Sequence, residues 1–249
     1  MPAGRNILQR IDNAWSRLRA RCHAPVTCRG RKTSVTQPHD TRPPEALLDV
    51  HAGCGTTHVN FCSLRDVLRQ LAGRPAHILE TGSSAWGTDS TCLWDAYVRR
   101  FGGQVWSVDI RRTPRRLLRE RVSPATTLVT DDSVRFLARF CQQHPDTRPG
   151  LVYLDSWDLD PQSPLPAAWH CVREFMAIQP LLRDGALLLV DDTPASEEWL
   201  TPEIRDAAVR YRNHAGILPG KGMLLDLLLQ HHPRVEKLHH RYQALYRFR

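Results

Sequence analysis

No Cys-x-x-Cys pair occurs in this chain, and its seven cysteines are odd in number and scattered. Such spacing argues against a disulfide framework and for free thiols in a reducing compartment, the cytoplasm. Long apolar runs are missing too. Stretches such as "ALLLV" reach only about a quarter of the roughly 20 residues that a membrane-spanning helix needs, so no segment is expected to cross a bilayer. The N-terminus lacks the apolar h-region of a secretory signal. No internal repeat or low-complexity tract is present. His51, Cys54 and His58 lack the paired second half of a structural zinc site, and ordinary loop residues are the expected reading.

What is present is a chain of 249 residues, 41% hydrophobic, long enough for one α/β domain with an appendage. Its formal charge of +8 is concentrated at one end. Residues 1–45 hold nine Arg and Lys against Asp12, Asp40 and Glu45, a net of +6, which leaves about +2 for the remainder. That distribution argues against a nucleic-acid-binding domain and for a basic leader. Within it, Ile7, Leu8, Ile11, Trp15 and Leu18 recur at helical spacing with arginines on other faces, which predicts an amphipathic helix over residues 5–21. Three roles stay open for this helix: docking on the domain, contact with an anionic surface, or organelle targeting. Residues 22–45, rich in Pro, Thr, Arg and Gly, read as a linker. The expected division is therefore a leader over 1–45 and a domain over 46–249.

From there a regular alternation begins. Ser63 is placed to cap a helix through "LRDVLRQLAG" that stops at Gly73. The runs "HILET", "QVWSVDI", "TTLVT", "LVYLDS" and "ALLLVDD" follow, separated by helical stretches such as "AAWHCVREFMAIQPLL". Short runs that are apolar at nearly every position are those of parallel strands covered on both faces. Five alternations predict a doubly wound, mostly parallel α/β sheet, with "YQALYRF" as a last, antiparallel strand at or near an edge. Residues 193–221 read as irregular around a short helix, a segment that could cap a substrate.

Ligands of such sheets bind outside the carboxyl ends of the strands. Here those ends carry Glu80, Asp109, Asp131-Asp132, Asp155 and Asp191-Asp192. One acid at a strand end is ordinary capping or turn chemistry. Five consecutive strands delivering acids to one rim repel at about 1–4 kcal/mol per close pair, so cations or many hydrogen-bond donors must offset them.

Behind the first strand, "ILETGSSAWGTDS" combines a turn at Gly82, small side chains at Ser83, Ser84 and Ala85, and a second glycine at Gly87. A dinucleotide loop has G-x-G-x-x-G and a pyrophosphate on the next helix, whereas this loop has two glycines and a carboxylate at Glu80. Asp109 follows Gly87 by 22 residues and closes the second strand, where an acid accepts hydrogen bonds from ribose hydroxyls. A nucleoside without phosphates and with positive charge fits both acids, which points to S-adenosylmethionine.

As a set, "ILETGSSAWGTDS", "VWSVDI", "VTDDSVRFL", "LVYLDS" and "RDGALLLVDD" resemble the successive motifs of the class I S-adenosylmethionine-dependent methyltransferases. The resemblance covers about residues 60–249 and implies their Rossmann-like, seven-stranded type of sheet. The last two motifs resemble the metal-dependent O-methyltransferases of catechol, macrocin and cephalosporin type. By that resemblance Glu80, Gly82, Ser83, Ser84 and Gly87 hold the amino acid end of the cofactor, Asp109 the ribose, and Asp132 with Ser133 the adenine. Asp155, Asp191 and Asp192 match the oxygen ligands of a divalent ion, most simply Mg2+. The alternative for Asp192 is a turn residue before Thr193-Pro194.

The catechol-type enzymes carry a lysine three residues beyond the fourth-strand acid, and this chain has Asp158 there. Either Asp158 takes the acceptor's proton or the metal suffices by lowering the acceptor's pKa. Trp157 is either an aromatic wall for the acceptor or a packing residue under the rim. His170 reads as structural. The leading expectation is methyl transfer to a hydroxyl of a small molecule or glycan with metal assistance, Asp155 and Asp158 being catalytic. Its rivals are a methyltransferase without metal, a non-catalytic protein of this fold acting through its leader, and a nicotinamide-dependent oxidoreductase.

Overall fold

Each of the five apolar runs becomes a parallel strand: β1 (Ala76–Thr81), β2 (Gly103–Asp109), β3 (Thr126–Thr130), β4 (Pro149–Leu154) and β5 (Leu187–Val190). The structure is a computed structural model and describes residues 41–50, 56, 58–83 and 89–249. The amphipathic segment 5–21, the linker through residue 40, His51 and Cys54 lie outside the described residues. So do Ser84 to Thr88, Gly87 among them. The chain divides into Met1–Arg42 and a compact unit over Pro43–Arg249.

Two further strands, β6 (Val235–His240) and β7 (Ala244–Phe248), complete a sheet of order β3-β2-β1-β4-β5-β7-β6, with β7 antiparallel to both neighbours. The "YQALYRF" run is thus an inner strand. β6 holds the edge beyond it.

The helices among the described residues are α1 (Leu47–Val50), α2 (Phe61–Leu71), α3 (Ser90–Phe101), α4 (Arg112–Leu118), α5 (Ser133–Gln143), α6 (Leu165–Ile178), α7 (Pro202–Ala215) and α8 (Met223–Leu229). Strand side chains alternate between two cores, as the two-residue period of a strand requires. Ile78, Leu151, Tyr153, Leu187 and Leu189 join Leu64, Leu68, Trp94 and Tyr97 of α2 and α3. Leu79, Val152, Leu154, Leu188 and Val190 join Phe136, Phe140, Phe175 and Leu225 of α5, α6 and α8. Helices on both faces explain why these strands are apolar at nearly every position.

Several boundaries depart from expectation. α2 begins at Phe61 with Asn60 as its cap residue, and Ser63 lies inside the first turn, its hydroxyl donating to the Asn60 carbonyl at 3.0 Å. Ala72, left-handed at φ 53°, ends the helix one residue before Gly73. Residues 193–221 hold the 14-residue α7, longer than the short helix expected there. Among the described residues no helix is long and apolar enough to cross a membrane. Cys62, Cys92, Cys141 and Cys171 are free thiols.

Candidate functional site

In this strand order the chain runs outward from β1 on one side and from β4 on the other, so the two exits face each other at the switch point where such sheets bind ligands. Gly82 stands there at φ +78°, and an added Cβ would lie 2.2 Å from the Asp155 carbonyl oxygen. Glycine is therefore needed for the turn and for the close passage of β1 past β4. The Asp155 amide donates to the Thr81 carbonyl at 3.0 Å, which holds the two exits in register.

Glu80 points to the same face as Ile78, toward α3, and is fully buried. Its carboxylate accepts from Ser90 Oγ at 2.7 Å and from Thr91 Oγ1 and Ser107 Oγ at 2.5 Å each. Burial raises its pKa to about 7, and the three hydroxyls oppose that rise. Ser83 is buried as well, its Oγ 2.7 Å from Ser107 Oγ. This cluster fastens the start of α3 to β1 and β2, which fixes both ends of the loop between Ser83 and Asp89.

Asp109, also buried, closes β2 and is gripped by Arg111: the backbone amide reaches Oδ1 at 2.7 Å, Nε the same oxygen at 3.0 Å and Nη2 the other at 2.9 Å. Asp131 is held below the usual carboxylate range by Arg135, with Arg139 adding to it. Asp132 caps α5 by accepting from the Arg135 amide at 2.9 Å. Ser133 meets His170 Nε2 at 2.9 Å, and His170 also lies beside Glu174 of its own helix, Nε2 to Oε1 3.5 Å. His170 thus ties α6 to the start of α5, the structural role expected of it.

The ends of β4 and β5 hold what sequence reasoning missed. Lys221 Nζ donates to Asp155 Oδ1 at 2.8 Å and stands 2.9 Å from Asp192 Oδ2, with the lysine only 4% exposed. Burial works against its charge, but Asp155, Asp192 and Asp191 outweigh burial and hold the ammonium well above the ordinary lysine value. Asp191 accepts from Tyr153 OH at 2.8 Å, and Tyr242 OH bonds Asp192 Oδ1. Burial lowers the pKa of His58, and Asp191 nearby partly opposes that.

Asp192 is left-handed at φ 43°, as the turn reading of this residue expects. Asp155 and Asp192 both meet Lys221, so the position between them is filled by an ammonium, and among the described residues the three carboxylates do not form a group that could hold a metal ion. A divalent ion does not fit there beside it. The expected Mg2+ site finds no support among the described residues.

The sequence held one signal for Lys221, the triplet Gly220-Lys221-Gly222. A Cβ at Gly220 would lie 2.8 Å from Asp192 O, and one at Gly222 would lie 2.4 Å from Thr193 Oγ1. The two glycines let this loop press on the exit of β5, where the Lys221 amide donates to Asp192 O at 2.8 Å and the Gly222 amide to Thr193 Oγ1 at 3.0 Å. Gly222→Ala is expected to cost about 1–3 kcal/mol through overpacking, read as a lowered unfolding midpoint.

Trp157 and Asp158 follow Asp155 on an exposed loop. Trp157 is 54% exposed and left-handed at φ 64°, a conformation costly for a bulky residue, and its ring lies 5.0 Å from that of His170. It is not packed under the rim. Asp158 is exposed and feels Arg111 electrostatically. The acidic rim is therefore real, and the chain's own Arg111, Arg135, Arg139 and Lys221 supply the cations that its repulsion demands.

No protein-family model and no curated protein matches the chain. Solved structures do. The SAH-bound methyltransferase PaMTH1 of Podospora anserina aligns over 100% of this chain and 98% of its own, at 16% identity and TM-score 0.51. CalS11, a TDP-rhamnose 3'-O-methyltransferase of calicheamicin biosynthesis, aligns over 85% of this chain and 88% of its own, at 18% identity and TM-score 0.50. With β1–β5 parallel, β7 antiparallel between β5 and β6, and helices on both faces, the chain has the Rossmann-like fold of the class I methyltransferases.

Proposed function

We propose that this protein transfers the methyl group of S-adenosylmethionine to a hydroxyl oxygen of a small molecule or sugar. The observation that carries the reading is Asp109, a buried carboxylate closing β2, the strand next to the β1–β4 switch point, beside a β1 exit that only glycine can make. A carboxylate there accepts from both hydroxyls of a ribose. Arg111 holds it in their place, and the Arg111 side chain is 48% exposed, so it can withdraw without unpacking a core. Asp132 and Ser133, at the head of α5, lie on the adenine side. Gly82 and Ser83 lie on the amino acid side, with Ser84 and Gly87 assigned there by resemblance alone. Glu80 contributes by fixing α3.

When bound, the cofactor supplies a methyl group on a sulfonium, and an in-line displacement asks the protein mainly for alignment. Such positioning can lower a barrier by about 7–11 kcal/mol. The acceptor lies against Trp157 and the Asp155 side of the lip. Asp158, open to solvent three residues beyond Asp155, is the carboxylate within reach of the acceptor's proton. This is the reading without metal, and Lys221 between Asp155 and Asp192 is what favours it.

Calorimetric titration with S-adenosylhomocysteine tests the proposal. One molecule per chain is expected to bind, at least about tenfold more weakly to Asp109→Ala, since each good charged hydrogen bond carries about 1.5–3 kcal/mol. A folded wild-type protein that takes up no S-adenosylhomocysteine would overturn it.

A further inference from the structure

We infer that Lys221 supplies from within the chain the positive charge that the resembling enzymes take from a divalent ion, so that the lip between β4 and β5 works without a metal. The catalytic consequence of this internal charge rests on the methyl-transfer reading above. An ammonium has three N–H donors and accepts nothing. Two of these meet Asp155 Oδ1 at 2.8 Å and Asp192 Oδ2 at 2.9 Å, and the Asp155 carbonyl lies 3.4 Å from the same nitrogen. Mg2+ sits about 2.0–2.1 Å from its oxygens and Ca2+ about 2.3–2.6 Å, so an ion bridging the same two carboxylates claims the volume of Nζ.

Withdrawal of the lysine is opposed at its root. Its amide is bonded to Asp192 O, and both flanking glycines press on the β5 exit, so the side chain starts from a fixed point within reach of its partners. The donors a metal would otherwise replace are also present: Tyr153 serves Asp191 and Tyr242 serves Asp192. One ammonium and two phenol dipoles thus stand where a dication would. Among the described residues no three His, Cys, Asp or Glu side chains gather as metal ligands. Lys221 is a positioning residue in this account. It sets the arrangement of Asp155 and Asp192 against which the acceptor is held.

The test uses the full chain, freed of metal by chelation and titrated with Mn2+, free ion being followed by electron paramagnetic resonance. Wild-type protein is expected to take up no stoichiometric Mn2+. Lys221→Met, which keeps the length and packing of the stem, is expected to bind one Mn2+ at least about tenfold more tightly than wild type, and Lys221→Met with Asp155→Asn is expected to lose that site. Circular dichroism shows whether each variant is folded.

Uptake of one Mn2+ by wild type that Asp155→Asn abolishes would overturn the inference, as would a folded Lys221→Met that binds no better than wild type. Should Lys221→Met fail to fold, the wild-type and Asp155→Asn titrations decide alone. S-adenosylhomocysteine binding separates the two claims: its failure with wild type still refusing Mn2+ removes methyl transfer and leaves the internal cation, and the opposite pair of results does the reverse.

Discussion

Lys221→Met is expected to destabilise the folded unit by about 3–5 kcal/mol, the cost of removing one partner from a buried ion pair. For a domain of this size that lowers the thermal midpoint by roughly 6–20 °C. The methionine fills nearly the same volume, so little of the loss comes from a cavity. What remains is charge. Asp155, Asp191 and Asp192 converge, and the Tyr153 and Tyr242 hydroxyls and the Asp192 amide are neutral donors that do not offset their charge. Asp155 is the carboxyl that burial, and then Asp191, already push up, with Lys221 pulling it back down.

Neutralising that carboxyl should therefore recover much of the loss, so Lys221→Met with Asp155→Asn is expected to be more stable than Lys221→Met alone. Groups in direct contact couple in this way by about 0.5–3 kcal/mol. Denaturant unfolding of the wild type, both single variants and the double variant measures the coupling. Additive losses would mean that the ammonium packs against the lip without compensating it.

The reading of the rim from sequence succeeded wherever the signal was local. A strand buried on both faces must be largely apolar, so Asp109, Asp155 and Asp191 stand out as the places where strands stop, and Glu80 as an acid one residue inside the end of β1. The cations that answer them leave no such mark. Arg111 lies two residues from its partner, but Lys221 lies 66 residues from Asp155. Long flexible side chains carry no period, and repulsion between acids does not say whether the answering charge is a metal or a residue.

The same reason explains the missed elements. α7 buries only Ala207 and Ala208, so no apolar stripe announces it. β6 is an edge strand, "VEKLHH", polar and only partly covered, without the apolar run that marked the inner strands. From sequence Trp157 fits wall and core equally, because an aromatic residue serves either. Only its 54% exposure decides that it faces outward.

Between about pH 4.5 and pH 7 Glu80 is expected to make the protein less stable as pH rises. Its carboxyl is raised from 4.5 to about 7, chiefly by burial, so in this window the folded chain holds a proton that the unfolded chain has released. Stability falls with pH wherever the folded state binds more protons. Below the window both states are protonated there, and above it both are ionised, so the contribution is flat on either side. The shift corresponds to roughly 3 kcal/mol across the window.

Glu80→Gln carries the neutral side chain at every pH. Ser90, Thr91 and Ser107 can each turn a hydroxyl to accept from its amide, which keeps the start of α3 fastened. The informative quantity is the difference in unfolding free energy between variant and wild type, because the shifts at Asp131 and His58 are common to both and cancel. That difference is expected to move in favour of the variant by roughly 3 kcal/mol from pH 4.5 to pH 8. A difference that stays level would mean that the three hydroxyls hold Glu80 ionised even in its buried place. The acid at the end of β1 would then bring a standing negative charge to the cofactor side of the lip, where a proton-bearing Glu80 brings none.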